Sequence, residues 1–200
     1  MKLPPADFTG KVALERTIKQ RRTIRSFSSA PLTLKQFAQL LWAAYGTTDD
    51  RGFMRAVPSA GALYPMDIYA VVGTGGIETI QAGIHHYEPR KHTVVLLGRG
   101  DFRNEISKAS LFQTWMAVAP LMIVITAEYD RITGRYGDRG IRYAIMESGH
   151  IAQNIFLQAE ALGLGAGIVG AFNDRGVNRV MNIPSSHEPL LIMPVGYKQQ

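Results

Sequence analysis

Two short segments of this 200-residue chain carry side chains with chemistry to offer. Arg21-Arg22-Thr23-Ile24-Arg25-Ser26-Phe27 concentrates guanidinium and hydroxyl groups, and Pro58-Ser59-Ala60-Gly61-Ala62-Leu63-Tyr64-Pro65 is a rigid turn built largely of small residues. Guanidinium groups stay charged at any working pH and present forked donors, so Arg21, Arg22 and Arg25 around Thr23 suit a dianionic phosphate joined to a polyol. Together the two segments point to a phosphorylated cofactor. Each also has an ordinary reading. The arginines could cap a helix C-terminus, where the dipole favours cations, and Pro58 to Gly61 could be a plain turn, because Pro, Ser and Gly are the commonest turn residues.

Two further patterns invite assignment. Gly165-Ala-Gly167-Ile168-Val169-Gly170 has the spelling of a dinucleotide fingerprint, but that fingerprint needs a strand before the glycines and a helix after them. Here a helical pattern precedes and a strand pattern follows, so the dinucleotide reading is rejected. The five histidines do not form a metal-ligand pattern. His85 and His86 are adjacent in a strand pattern and point to opposite faces. Glu147, His150 and Asn154 fall at helical spacing and read as a structural polar seam.

The elements that must position these groups follow from periodicity. Val12, Leu14 and Ile18 indicate a helix over residues 10 to 21 that delivers the arginine segment at its end. Thr33 reads as an N-cap for a helix with Phe37, Leu40, Leu41 and Ala44 on its buried face, ending near Gly46. A loop over residues 47 to 57 precedes the small-residue turn. Asp67 to Val72 reads as a strand, Gly73 to Gly76 as a turn, and residues 83 to 87 with 93 to 97 as a hairpin. Asp101 is expected to cap a helix to about Leu111. Leu121 to Thr126 is a continuous apolar run, as in a strand buried on both faces. A long helix over residues 138 to 162, apolar through Ile141, Ile145, Ile151, Ile155, Phe156 and Leu162, should be buried on several sides. Gly165 to Val169, a helix over 174 to 181 and Leu190 to Val195 complete a β-α-β segment. Helices mixed with hairpins and crossovers make the fold class α+β.

Composition bounds the class. The chain is 46% hydrophobic, enough for one domain over residues 1 to 200. The longest apolar stretch, Leu121 to Ala127, is far short of the roughly 20 residues a membrane helix needs, and Met-Lys-Leu-Pro-Pro is no signal core. A cytoplasmic protein without a membrane partner is the expectation. The absence of cysteine removes disulfides, thiolate metal sites and thiol redox cycles, so redox chemistry would need an organic cofactor. The net charge of +6 is dispersed among acids, which argues for solvated surface or small-anion binding and against a nucleic-acid partner.

In order and spacing, the arginine segment and Pro58-Ser-Ala-Gly-Ala-Leu-Tyr-Pro65 resemble the FMN-dependent nitroreductase superfamily, and in particular its SagB-type (azoline dehydrogenase-like) branch. The likeness continues through Gly83-Ile-His-His-Tyr-Glu-Pro89, Arg139-Gly-Ile-Arg-Tyr143, Glu147-Ser-Gly-His-Ile-Ala-Gln-Asn154 and Ala161-Leu-Gly-Leu-Gly165, covering nearly the whole chain. Other nitroreductases tend to carry Asn and Gln where Ala62 and Tyr64 stand. The resemblance implies a central mixed β-sheet flanked by helices and a homodimer with FMN at its interface. It implies that Arg21 lies near the phosphate, Arg22 and Thr23 near phosphate and ribityl oxygens, and Arg25 near the N1/O2 edge of the flavin, where a cation favours reduced anionic flavin. Pro58, Ser59, Ala60, Gly61 and Leu63 would lie against the isoalloxazine, with Pro58 to Ala60 coming from the partner subunit. Ile168, Val169 and Gly170 would pass the flavin, an amide of Val169 or Gly170 bonding N5.

Arg135-Tyr136 stands where SagB-type dehydrogenases carry Lys-Tyr for proton transfer. Arginine is too basic for that task, whereas Tyr136 could still exchange a proton. Peptide-modifying relatives carry an N-terminal docking region, and many relatives add a basic C-terminal segment at the phosphate. This chain starts almost at the flavin core and ends four residues after Gly196, so Lys198 is expected to substitute in part. Three functions remain open: an oxidoreductase passing hydride from NAD(P)H to an acceptor such as a nitro compound or quinone, or, as a SagB-type dehydrogenase, oxidising a peptide-derived or other small substrate; a non-catalytic flavin-binding protein; and a basic module for polyanions. Residues 99 to 118, expected over the flavin, match no pattern that names a substrate.

Overall fold

The computed structural model describes residues 1–199. Helices α1 (Leu14–Gln20), α2 (Leu34–Tyr45), α3 (Arg103–Ala109), α4 (Asp130–Tyr136), α5 (Arg139–Ala161) and α6 (Asp174–Met181) are interspersed with strands β1 (Met66–Val72), β2 (Gly83–Glu88), β3 (Thr93–Arg99), β4 (Leu121–Ala127), β5 (Gly165–Ala166) and β6 (Glu188–Gly196). The strands form one sheet in the order β3-β2-β1-β4-β6-β5. The architecture is α+β, as the sequence indicates. Every ladder is antiparallel, and a parallel bridge between Thr23 and Ala166 at the β5 edge makes the sheet mixed.

The centre of the sheet explains the continuous apolar runs. All residues of β1 and β4 are buried, and successive side chains point to opposite faces. Ile68, Ala70, Ile123 and Ile125 share a core with α2 and α5, whereas Tyr69, Val71, Met122 and Val124 pack with Ile106 of α3 and Val177 and Met181 of α6. A strand covered on both sides has no polar face to show in the sequence.

Helix α2 begins where Thr33 requires. The Gln36 N–H donates to Thr33 Oγ1 at 3.1 Å and the Thr33 N–H donates to Gln36 Oε1 at 2.9 Å, a reciprocal capping box. Other boundaries differ from expectation. Helix α1 starts at Leu14, and its Leu14 and Ile18 are exposed while Thr17 is buried. Phe102, not Asp101, holds the N-cap position of α3, but Asp101 Oδ1 accepts from the Arg103 backbone N–H at 3.2 Å and from its Nε, and Oδ2 accepts from the Thr74 N–H at 2.9 Å, tying the start of α3 to the Gly73–Gly76 turn. Helix α4 was not expected, because Asp130–Tyr136 is mostly polar; Gly137, at φ 54°, separates it from α5. In α5, Ile151 and Ile155 are buried but Ile141, Ile145 and Met146 are exposed. Burial on several sides therefore holds for the second half of α5 and fails for the first.

Candidate functional site

The arginine segment leaves α1 and runs along the β5 edge. Ile24 N–H donates to the Ala166 carbonyl at 2.9 Å, so residues far apart in sequence become neighbours. The three arginines are held differently. Arg22 donates to the carbonyls of Lys19 at 2.9 Å and Arg21 at 2.8 Å, so for this residue the helix-capping role is realised. Arg21 lies over the Phe156 ring at 5.1 Å and Arg25 over the Trp115 ring at 5.9 Å. Among the described residues neither has a carboxylate partner.

The glycine segment supplies the other wall. Gly167 N–H donates to Pro194 at 2.8 Å, and Val169 and Ile192 exchange bonds of 2.9 Å in both directions. Amides alternate along an extended chain, so those of Ile168 and Gly170 point away from β6, toward the side where Ile24 pairs with Ala166. No backbone acceptor meets them among the described residues. Of the two amides considered for a flavin N5, Val169 is therefore excluded by its bond to Ile192. Gly167 has its own reason to be glycine: a Cβ there would lie 2.8 Å from the Ile24 carbonyl oxygen and 2.8 Å from the Trp115 ring.

The small-residue turn is tightly wound. Gly61, Ala62 and Tyr64 have φ of 62°, 52° and 49°, and the Tyr64 N–H donates to Ser59 Oγ at 3.0 Å. Leu63 is half-buried against the main core. A Cβ on Gly61 would lie 2.7 Å from the Tyr136 hydroxyl, so the turn and Tyr136 meet within one chain. Tyr136 also meets Tyr143 edge-on at 5.3 Å, while exposed Arg135 lies over the Tyr136 ring at 5.6 Å. Beside the turn, Pro58, Ser59, Ala60, Tyr143, Glu147 and His150 line a cavity of about 280 Å3. Glu147 is 2% exposed; Tyr45 donates to its Oε1 at 2.8 Å, and the Ser59 hydroxyl lies alongside. Burial raises the pKa of this carboxyl above the usual glutamate value, against the pull of those hydroxyls and of Arg55.

A profile of the nitroreductase family matches residues 18–197. The chain belongs to the nitroreductase family. A Methanocaldococcus jannaschii protein named provisionally as a nitroreductase is 44% identical over 188 residues, 94% of this chain and 92% of that protein. The microcin B17-processing protein of Escherichia coli is 26% identical across 82% of this chain and 62% of its own length, which supports the SagB-like branch. Among solved structures, one from Ralstonia eutropha, likewise named provisionally as a nitroreductase, matches with a TM-score of 0.85 and 27% identity, covering 100% of this chain and 90% of that one. An NADPH:FMN oxidoreductase from Vibrio harveyi, at a TM-score of 0.67 and 22% identity over 94% of this chain and 69% of that one, shares the fold.

Within this nitroreductase-family chain, two features escaped the sequence. Trp115 stacks on Phe27 at 6.4 Å and touches both the Arg25 and Gly167 sides of the cleft; a lone tryptophan in a segment of no periodicity gave no signal. Asp67, Glu128 and His187 gather from three strand ends, close enough to hold a metal ion. Arg131 already occupies that place, 2.7 Å from Asp67 Oδ2 and 2.5 Å from Glu128 Oε2, while His86 meets Asp67 Oδ1 at 2.8 Å. The polar seam on α5 is also partly corrected. Asn154 donates to Ala43 and Ala56 carbonyls at 3.1 and 2.9 Å, but His150 is exposed at the cavity mouth. Lys198 lies beside Gly165 and Ile24, yet its ammonium is held by Glu160 at 2.8 Å, which weakens it as a phosphate ligand.

Proposed function

We propose that the protein is an FMN-dependent oxidoreductase that works as a homodimer with flavin at the subunit interface. The observation that carries this reading is the pairing of Ile24 with Ala166, which sets Arg21, Thr23 and Arg25 beside the unspent amides of Ile168 and Gly170. Two guanidinium groups without a carboxylate and a hydroxyl without a partner among the described residues, together with outward amide donors, form one edge suited to a phosphorylated, hydrogen-bonding planar ring. The residues present fit the cofactor. When bound, FMN supplies the hydride chemistry that no side chain of a cysteine-free chain can supply.

The chain's own residues have separable tasks. Arg21, with Thr23, holds the phosphate and ribityl end; Arg22 holds the helix end that presents them. Arg25 places positive charge at the ring edge and Gly170 offers a donor at N5. Pro58, Ser59 and Ala60 cover the ring from the partner subunit, with Gly61 completing that turn and Leu63 anchoring it to the core. Exposed Leu14 and Ile18 on α1 and Ile141, Ile145 and Met146 on α5 form apolar surface that a second copy would cover. The reaction is reduction of a small acceptor, a nitro compound or quinone, at the expense of NAD(P)H.

A second reading is favoured by the Tyr136 hydroxyl, which sits against Gly61. A phenol held over the turn could take or give a proton while a small substrate is oxidised, the SagB-like direction of reaction, with Arg135 fixing charge nearby. One measurement tests both: absorbance after FMN addition and desalting, then anaerobic titration with NADH and NADPH. Retained flavin bleached by either donor supports the reductase. Retained flavin bleached by neither supports the dehydrogenase or a flavin carrier, and no retained flavin sinks the proposal.

A further inference from the structure

A second cavity, of about 290 Å3, lies on the other side of the small-residue turn, between that turn and the ends of β1 and β2. Its polar lining is predominantly cationic: Arg55, Arg90, Lys91 and Arg131 against Asp67 and Glu88. Asp67 is engaged by Arg131 at 2.7 Å and by His86 at 2.8 Å. Glu88 is engaged by Thr93 at 2.7 Å and by Lys91 at 3.4 Å. After these pairs are formed, two cations remain without a carboxylate among the described residues, Arg55 and Arg90.

Arg55 is the unusual one. Its guanidinium is clasped between the rings of Tyr45 and Tyr64, 5.3 Å from each centroid. Nε and Nη1 are shielded from solvent and have no acceptor among the described residues, and the residue lines the cavity. A guanidinium taken out of water without an acceptor is costly and is ordinarily paired. Burial presses its pKa below the ordinary arginine value, and Arg90 presses the same way. Glu147, on the far side of Tyr45, is engaged by the Tyr45 hydroxyl and kept toward its neutral form by burial. Arg90 itself is exposed at the rim, over the Phe53 ring at 5.7 Å.

We propose that this cavity is a binding site for a small dianionic oxyanion, a phosphate group or a dicarboxylate, held between Arg55 in the depth and Arg90 at the mouth. Two surplus cations match two negative charges, and the cavity is near the lower limit of ligand-sized pockets, which suits a small ion better than a nucleotide. Guanidinium donors suit the oxygens of either anion. The site is separate from the Arg21–Arg25 edge and does not depend on the flavin assignment.

The test is calorimetric titration of the FMN-saturated protein with inorganic phosphate, succinate and acetate. Saturable binding of phosphate or succinate is expected, at least about tenfold tighter than acetate. Phosphate winning identifies a phosphoryl ligand, and succinate winning identifies a dicarboxylate. Arg55→Met is expected to lower affinity about tenfold or more; Arg90→Gln, at an exposed position that cannot compromise folding, is expected to lower it severalfold. Arg175→Gln, at an exposed position on α6, should leave this binding unchanged. Absence of saturable binding overturns the proposal, as does binding that survives both Arg55→Met and Arg90→Gln or that disappears in Arg175→Gln.

Discussion

Arg21 and Arg25 leave α1 four residues apart, yet their surroundings ask different things of them. Arg21 rests on Phe156 at the helix end, and Arg25 rests on Trp115 at the glycine edge. Arg21→Ala is expected to weaken FMN retention, while Arg25→Ala retains part of the flavin and slows its reduction by roughly tenfold or more; equilibrium dialysis and stopped-flow bleaching separate the two. Identical behaviour of both variants would refute the division. Glu147 gives a prediction in pH. Its folded pKa is raised by burial, so its contribution to stability is fully present below the unfolded glutamate value and is lost as pH rises through the folded value. Glu147→Gln keeps an acceptor for Tyr45 without a charge to bury. Its thermal midpoint should therefore gain on the parent as pH rises from acid toward neutral. Parallel curves for the two proteins would mean that the carboxyl titrates alike in the folded and unfolded states.

At the scale of elements, most of the framework was legible wherever local chemistry decides. Thr33 and Gln36 mark the start of α2, and the uninterrupted Leu121–Thr126 run marks a strand covered twice. Thr33→Ala is expected to cost about 1 kcal/mol, read as a shift in the denaturant midpoint. Legibility ended where tertiary contacts decide. Asp130–Tyr136 folds as α4 through its ion pairs to Asp67 and Glu128 and the burial of Ile132, with no periodicity to announce it. The choice between the Val169 and Gly170 amides as donor to flavin stays open in the sequence, which does not say which of two alternating amides the neighbouring strand uses. The arginine and small-residue segments were legible as chemistry, through their types and order, but Trp115 was not. The junction of these pieces is testable through Gly167→Ala. A methyl group would meet a backbone oxygen that cannot swing away, so a loss of about 1–3 kcal/mol is expected, together with reduced flavin retention as Ile24 is pushed from Ala166.

For the whole molecule, the exposed apolar residues of α1 and the first half of α5 predict the assembly. Ile145→Glu puts a charge among those exposed residues, and light scattering should find a monomer that no longer retains FMN. A monomer that still binds flavin would place the cofactor within one subunit, and an intact dimer would place the interface elsewhere. No helix among the described residues is long and apolar enough to cross a membrane. The bond between Ile24 and Ala166 carries a consequence of another kind. It closes a loop of most of the chain, and closures of that length are late and slow. As the polypeptide leaves the ribosome, the arginines emerge well before the edge strand with which they pair. Truncated chains ending before residue 165 should therefore fold α2 and the β1–β2–β3 meander while capturing no flavin, and full-length chains refolding with FMN should gain helix before they gain the colour of bound cofactor.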